Sequence, residues 1–226
     1  MVIPSQCNSK GKESIVNDGG VKEAIFKIKD PEEYYDRKAA IYDEVSSETG
    51  YCAPQETVQL CKKYLKTSDK ILDLAAGTGL TGLYLKKAGF LDIHGHDGSN
   101  KMLDVARKQG IYQSYLAELI YPDKPSTIPS DEYDVIFCVG SVAPGHLGPD
   151  LFPEFLRITK PGGKVIITTR RKFMKKEEWS KHGSHHDMAK TIQDMENEGL
   201  WKKLEYLDVP HYLDSDVGIC IVMEKL

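Results

Sequence analysis

A glycine-rich turn that follows an acidic residue is the clearest candidate for binding chemistry in this chain. The stretch 71–82 reads ILDLAAGTGLTG, with Asp73 inside an apolar run and glycines at positions 77, 79 and 82. The apolar run predicts a buried strand, and the pattern after Gly79 predicts a helix. Small residues between the two let a ligand approach the backbone closely, which is typical of a nucleotide-binding unit.

The glycine spacing alone admits two classes of adenosine ligand. Gly77, Gly79 and Gly82 satisfy G-x-G-x-x-G, the fingerprint of dinucleotide binding, but the same turn serves other adenosine ligands. Asp73 separates the classes, because a carboxylate near the end of the strand repels a pyrophosphate and suits a ligand with a sulfonium and an ammonium group. A ligand of the second kind is favoured, with an NAD-binding oxidoreductase as the alternative.

Strand-like segments alternate with helical patterns along the rest of the chain. The predicted strands are 71–74, 91–96, 112–116, 133–139 and 164–169, followed by a final pair at 204–209 and 218–224. The predicted helices are 55–65, 80–88, 100–109, 151–159 and 185–197. This order predicts an α/β fold, a three-layer sandwich around a Rossmann-like, seven-stranded, mostly parallel sheet with an antiparallel closing strand.

The N-terminal region divides into a polar segment and a helical one. Residues 1–20 are rich in Ser, Asn, Gly and Lys, which predicts a mobile tail, and we expect residues 21–226 to form a single domain. Asp30 is a suitable N-cap for a helix, and residues 31–65 are predicted to be an N-terminal helical lid. Tyr35 and Tyr42 fit two interpretations: a helix face packed on the domain, or a lid whose phenols line a pocket.

The composition limits the classes of partner. The 226 residues carry a formal net charge of −4, whereas a general nucleic-acid binder needs a basic surface. No stretch approaches the roughly 18 apolar residues of a membrane span, and the N-terminal residues do not resemble a signal peptide. The five cysteines form no C-x-x-C pair. We therefore expect a cytoplasmic monomer, with a nuclear location as the alternative, that binds neither membranes nor nucleic acid.

Further short motifs complete the pattern around the glycine turn. They are Asp73-x-Ala75-x-Gly77-x-Gly79, the acid Asp97 after the next strand, the strand YDVIFC and the turn KPGG at 160–163. Together they resemble the class I S-adenosylmethionine-dependent methyltransferases, from about residue 31 to the C-terminus. The chain is also similar to the methyltransferase-like group named for the Williams–Beuren syndrome chromosomal region. The matching stretches are LDLAAGTGLTG, MLDVARKQGIY and VGSVAPGHLGP.

The resemblance implies an activity and a cofactor. We expect an S-adenosylmethionine-dependent methyltransferase (EC 2.1.1.-) that moves a methyl group to an N, O or S nucleophile of a small molecule and releases S-adenosylhomocysteine. A catalytically silent module that only binds S-adenosylmethionine is the alternative. The family's pattern does not identify the acceptor.

The resemblance also implies a role for individual residues. Asp73 would orient the methionine end of the cofactor, and Asp97 would accept both ribose hydroxyl groups, because a carboxylate offers two acceptor oxygens. Glu118 would face the adenine amino group, although many members of the family carry Asp there. A solvated turn carboxylate is the alternative for both Asp97 and Glu118. The implied cofactor-binding residues are Asp73, Ala75, Gly77, Thr78, Gly79, Asp97, Gly98, Ser99, Met102, Glu118, Leu119, Gly140, Ser141, Tyr35 and Tyr42.

The implied reaction needs alignment more than a dedicated catalytic side chain. Positioning a nucleophile in line with the methyl group supplies roughly 7–11 kcal/mol. His146, in PGHLG after the strand that would meet the methyl group, is the candidate general base, since histidine titrates near neutrality. A structural histidine that stabilises its loop is the alternative.

Two further groups of residues have types suited to a site. Substrate recognition is expected in the region after the fifth strand, at Arg170, Trp179 and His185. His182 and His186 form an i, i+4 pair, but no further ligand stands at the spacing of a known metal pattern. We therefore expect no metal site.

Overall fold

A single seven-stranded sheet organises the chain. The computed structural model describes residues 31–213 and 216–226, so the predicted tail at 1–20 and the predicted N-cap Asp30 lie outside the described residues. In chain order the strands are β1 (Ile71–Leu74), β2 (Ile93–Asp97), β3 (Ser114–Ala117), β4 (Tyr133–Val139), β5 (Thr159–Arg170), β6 (Trp201–Leu213) and β7 (Asp216–Lys225). Their spatial order is β3-β2-β1-β4-β5-β7-β6. Strand β7 runs antiparallel to both of its neighbours, and the other pairings are parallel.

Helices cover both faces of the sheet. In chain order they are α1 (Pro31–Lys38), α2 (Tyr42–Glu48), α3 (Ala53–Cys61), α4 (Leu80–Lys87), α5 (Asn100–Lys108), α6 (Phe152–Ile158), α7 (Lys176–Ser180) and α8 (Met188–Asn197). One face of the sheet packs against a core cluster that includes Phe152 and Trp201, and the other against a cluster that includes Val58 and Leu85. Within the described ranges, no helix is both long enough and apolar enough to cross a membrane.

The sheet confirms the predicted fold class, although several element bounds differ. The strand predicted at 91–96 begins at Ile93, because Leu91 and Asp92 are exposed ahead of it. The strand predicted at 112–116 begins only at Ser114. The turn predicted at 160–163 is continuous with β5, and both closing strands are longer than predicted.

The third strand is shorter than predicted because the Tyr112 side chain turns inward. Its ring lies between Gly82 of α4 and Gly95 of β2, and a β-carbon on either glycine would collide with it. The Tyr112 hydroxyl donates to Asp73 Oδ2 at 2.5 Å, and the Gly82 N–H donates to the same oxygen at 3.0 Å. Glycine weakens helix and strand interiors, so its presence at both positions is explained by this close approach.

We expect Gly82→Ala to lower the free energy of unfolding by about 1–3 kcal/mol, because the added methyl group overpacks against the Tyr112 ring. In a Tyr112→Leu background the same substitution should cost much less, since the ring atoms that collide are gone and Ala is about 0.5–1 kcal/mol better than Gly in a helix. Urea unfolding of the four proteins measures both costs. An equal cost in the two backgrounds would contradict this packing explanation.

Candidate functional site

A cavity opens at the carboxyl ends of β1, β2 and β4, where the strand order reverses between β1 and β4. Its volume is about 540 Å³, within the usual range of roughly 300–1,000 Å³ for small-ligand sites. The structure brings most of the sequence-predicted site residues to its wall. Those residues are Tyr35, Tyr42, Ala75, Gly77, Thr78, Asp97, Gly98, Ser99, Met102, Leu119, Gly140, Ser141 and His146.

Asp97 ends β2 at the cavity wall, with both carboxylate oxygens fixed by backbone donors. The Gly77 N–H donates to Oδ2 at 2.8 Å, and the Ser99 N–H donates to Oδ1 at 2.8 Å. Burial raises the pKa of Asp97, and these two hydrogen bonds oppose that effect by stabilising the charged form. Each oxygen accepts one backbone hydrogen bond and retains capacity for another. The side chain is thereby oriented to bind two neighbouring hydroxyl groups.

Asp73 and Gly79 are not among the residues that line the cavity, and their predicted contact with a ligand stays a prediction. Asp73 is 1% exposed and lies behind the turn, where its Oδ2 binds Tyr112 and Gly82. Burial raises the pKa of Asp73 to about 7. Gly79 begins α4 with a φ of 93° and packs towards Ile111. Both residues fix the shape of the turn from behind.

Glu118 is also displaced from its predicted position. Its carboxylate turns away from the cavity and accepts hydrogen bonds from the Thr127 N–H, at 3.0 Å, and from the Thr127 hydroxyl, at 2.7 Å. The reason is local: the connection after β3 folds back on itself and satisfies the carboxylate there. The cavity wall at this place consists of Leu119 and the residues that follow it, Ile120, Tyr121 and Pro122.

The first two helices are tied to the cavity loops by carboxylates. Asp43 of α2 accepts a hydrogen bond of 2.5 Å from the Thr78 hydroxyl in the glycine turn. Asp36 of α1 accepts one of 2.6 Å from the Ser99 hydroxyl and pairs with Lys101 at 3.2 Å. These contacts bind the helices to the loops that follow β1 and β2.

A third tie reaches the loop after β4. The Tyr35 hydroxyl lies 2.6 Å from His146 Nε2, and His146 Nδ1 lies 3.2 Å from the Pro144 carbonyl oxygen. Because a carbonyl oxygen only accepts, Nδ1 carries the proton of the neutral ring, and Nε2 accepts from the Tyr35 hydroxyl. Burial lowers the pKa of His146, as does the charge of Arg170. His146 is therefore a neutral base at physiological pH, in contact with a cavity-lining phenol.

Further residues complete the cavity wall, among them Tyr51, which the sequence already suggested as an aromatic neighbour of Tyr35 and Tyr42. Tyr51 approaches Gly140 so closely that a β-carbon at position 140 would meet its hydroxyl, and its ring packs edge-on against Tyr212 at 5.7 Å. Glu32 and Asp150 contribute two carboxylates to the wall. In the sequence, this part of the wall is indicated by the glycine at position 140 and by three tyrosines near the lid helices. Glu32 and Asp150 reach the same cavity only through tertiary folding.

The residues predicted to recognise substrate after β5 are largely used elsewhere. Trp179 is buried and donates to the Phe173 carbonyl, while Arg170 is buried and pairs with Asp216 at 3.2 Å. His186, one residue beyond the predicted His185, lines the cavity. A role of this region in substrate recognition stays a prediction, with His186 as its residue on the cavity wall.

The histidines of β2 lie away from the cavity wall. His94 lies within hydrogen-bonding distance of Ser114 Oγ and Asp92 Oδ1. Burial lowers the pKa of His96 to about 4, so this ring is neutral, and neither of its nitrogens has a hydrogen-bond partner within the described residues. Across 31–213 and 216–226, no group of three or more His, Cys, Asp or Glu side chains is arranged to hold a metal ion.

Comparisons with known proteins agree with this geometry. A family model described as "Methyltransferase domain" matches residues 71–163. Methyltransferase-like protein 27 of Homo sapiens is 34% identical over 76% of this chain and 68% of that protein. Phosphoethanolamine N-methyltransferase 3 of Arabidopsis thaliana is 31% identical over 46% of this chain, and the match covers 21% of that protein.

A solved structure shares the architecture. The S-adenosylmethionine-dependent methyltransferase from Mesorhizobium loti superposes with a TM-score of 0.55 at 17% sequence identity, over 74% of this chain and 96% of that chain. At this level of identity the likeness shows the fold alone.

The raised pKa of Asp73 predicts how stability depends on pH. Its folded-state pKa of about 7 exceeds the ordinary value of 3.8, so its contribution to stability is present below about pH 4 and is lost as pH rises through 7. We expect the wild type to lose up to roughly 1.4 kcal/mol per pH unit in this window relative to Asp73→Asn. Urea unfolding between pH 4.5 and 8.5 measures the difference. A difference that stays constant with pH would show that Asp73 is not protonated in the folded state.

Proposed function

This chain belongs to the class I S-adenosylmethionine-dependent methyltransferases, and from that membership we propose that it is an active methyltransferase whose cavity binds S-adenosylmethionine. The observation that carries the proposal is the Asp97 carboxylate. Backbone donors at Gly77 and Ser99 fix its two oxygens beside the glycine turn, with acceptor capacity left towards the cavity. This arrangement suits a ribose diol.

The rest of the wall fits the other parts of the cofactor. Met102 and Leu119 would pack against the adenosine, and the backbone of Ala75 and Gly77 would bind the methionine end. Gly140 would lie near the methyl-bearing sulfur. Asp73, from behind the turn, and the Asp97 carboxylate both favour a ligand of positive charge over a pyrophosphate. When bound, S-adenosylmethionine supplies an electrophilic methyl group and leaves as S-adenosylhomocysteine.

The protein's own contribution is alignment and proton removal. His146 is neutral, and its Nε2 already accepts a hydrogen bond from Tyr35, so a proton released by an acceptor at this wall can pass through the phenol to the imidazole. We propose His146 as the general base and Tyr35 as the residue that connects it to the cavity. Burial keeps the pKa of Tyr35 well above its usual value, so the phenol stays protonated and able to donate.

The cofactor assignment predicts a ligand-specific thermal shift. At a hundredfold excess over its dissociation constant, S-adenosylmethionine or S-adenosylhomocysteine should stabilise the fold by about 2.7 kcal/mol, which corresponds to about 5–10 °C in melting temperature. Asp97→Ala should abolish the shift, because the diol loses both acceptor oxygens. Asp123→Ala is the matched control, since this exposed acid does not line the cavity.

The outcomes separate the alternatives. A shift with NAD(H) in place of S-adenosylmethionine would indicate an oxidoreductase. A shift with S-adenosylmethionine, but no transfer of labelled methyl to any component of a metabolite extract, would indicate a silent binding module. No shift with either adenosyl ligand would overturn the cofactor assignment itself.

We further propose that residues 21–226 form one catalytic domain in which the segment 31–65 acts as a lid. Three hydrogen bonds support this assignment: Asp36 to Ser99, Asp43 to Thr78, and Tyr35 to His146. Each joins the N-terminal helices to a different cavity loop, so the helices cannot move away without breaking all three. A bound cofactor would be enclosed by the same contacts.

The lid proposal predicts slower release from the closed protein. We expect Tyr35→Phe to speed the dissociation of S-adenosylhomocysteine about three- to tenfold, because one hydrogen bond contributes about 0.5–1.5 kcal/mol. Tyr34→Phe is the control, since this neighbouring ring packs edge-on against Tyr35 without lining the cavity. Stopped-flow displacement measures both rates. Identical dissociation from Tyr35→Phe and the wild type would contradict a lid held by this bond.

A further inference from the structure

We infer that the methyl acceptor is a small cationic amine that carries no phosphate or carboxylate group. The inference rests on the proposed function, because it names the substrate class of the same cavity. Three properties of the wall carry it: its charges, its aromatic faces and its neutral base.

The first property is the negative charge of the cavity wall. Glu32, Asp97 and Asp150 line the cavity, and no lysine or arginine stands among its described lining residues. Asp97 is committed to the ribose in the proposed function, which leaves Glu32 and Asp150 for a second ligand. The carboxylates of Asp36 and Asp43 are held by Ser99 and Thr78 and are not part of the wall.

The nearest candidate for an anion site does not serve the cavity. Arg170 is buried, its guanidinium pairs with Asp216 at 3.2 Å, and it is not a lining residue. A phosphate or carboxylate on the acceptor would meet carboxylates and no lysine or arginine among the described lining residues, which is unfavourable at low dielectric. His186, the lining side chain that could pair with an anion, already lies 3.5 Å from Asp150 Oδ1. Phosphoethanolamine, named in a partial relative, therefore does not suit this wall.

The second property is the aromatic surface. Tyr35, Tyr42 and Tyr51 line the cavity, and the Tyr35 and Tyr42 rings meet edge-on with centroids 6.3 Å apart. Burial raises the pKa of Tyr42 to about 12, so its phenol stays neutral and its ring face keeps its negative potential. Aromatic faces attract ammonium groups by about 0.5–2 kcal/mol each. Together with Glu32 and Asp150 they form a surface complementary to a cation.

The third property is the neutral base, which an ammonium acceptor requires. The acceptor arrives as R–NH₃⁺ and loses one proton, which passes through the Tyr35 hydroxyl to His146 Nε2. The nitrogen lone pair then forms the new N–C bond while the methyl–sulfur bond breaks, and that electron pair remains on sulfur. The products are R–NH₂⁺–CH₃ and S-adenosylhomocysteine, with the released proton on His146.

A panel of acceptors with labelled S-adenosylmethionine tests the inference. The probes are n-butylamine, 1,4-diaminobutane, phosphoethanolamine, glycine, a phenol and an alkyl thiol. We expect kcat/KM for the better of the two amines to exceed that for phosphoethanolamine and for glycine by at least about tenfold. His146→Gln should lower kcat for that amine with little change in KM.

A binding experiment tests the cation preference without the reaction. With S-adenosylhomocysteine present, calorimetry should show that tetramethylammonium binds at least about tenfold more tightly than its neutral counterpart tert-butanol. Asp150→Asn and Glu32→Gln should each weaken tetramethylammonium binding and raise the KM for the amine. Glu48→Gln, an exposed acid of α2 outside the cavity, is the matched control.

The possible failures can be told apart. Methyl transfer to the phenol or thiol but to no amine overturns the inference and leaves the methyltransferase assignment intact. A kcat/KM for phosphoethanolamine equal to that for the better amine has the same consequence. Equal affinity for tetramethylammonium and tert-butanol also overturns it. Absence of transfer to both amines counts against the inference, and the thermal shift with S-adenosylmethionine decides separately whether the cofactor assignment stands.

Discussion

One buried hydrogen bond, from the Tyr112 hydroxyl to Asp73, sets the geometry on which the rest of the site depends. It holds the carboxylate against the Gly82 N–H, in the first turn of α4, where the helix dipole also favours negative charge. The end of β1 and the start of α4 are therefore joined through a single oxygen atom. With the turn fixed in this way, the Gly77 N–H is directed to Asp97 on the neighbouring strand. A local contact behind the turn thus determines the surface in front of it.

The same arrangement explains why carboxylates accumulate around one cavity. Burial is the main cause of the raised pKa of Asp73, and the charge of Asp97 adds to it, so Asp97 further destabilises the ionised form of Asp73. A cation bound in the cavity beside Asp97 would stabilise the Asp97 charge and lessen its effect on Asp73. Asp36 and Asp43 bring further negative charge on the lid helices. A site built in this way discriminates by charge before any detailed contact is made.

The sequence was sufficient for the features that depend on local pattern, and insufficient for those that depend on distant contacts. The strand at β4, the glycine turn and Asp97 follow from apolar runs and short motifs, and the structure places them where they were predicted. Tyr112 was missed as the partner of Asp73 because 39 residues separate the two. The signal was indirect: glycine at positions 82 and 95, where a helix and a strand ordinarily exclude it.

Glu118 illustrates a different limit. Its position in the chain matches the family pattern, but the carboxylate is satisfied by Thr127, nine residues later, within a connection that has no periodicity to predict its path. Asp150 and His186 reach the wall for a similar reason. Their segments are separated by α6, β5 and two further short helical segments, and only the completed sheet brings them to the same cavity. Motif reasoning identifies backbone positions reliably, whereas side-chain direction in irregular loops follows from tertiary packing.

The N-terminal helices link closure of the site to its chemistry. Tyr35 belongs to α1, yet it supplies both a face of the cavity and the hydrogen bond that His146 Nε2 accepts, while the Pro144 carbonyl sets the tautomer of His146. In an open arrangement, His146 would lose this partner and the wall would lose its phenol together. The base is therefore complete only when the helix is seated on the loops after β1, β2 and β4. In the mechanism we propose, proton removal is conditional on closure, because the residue that covers the cavity is also the one that connects the acceptor to the base.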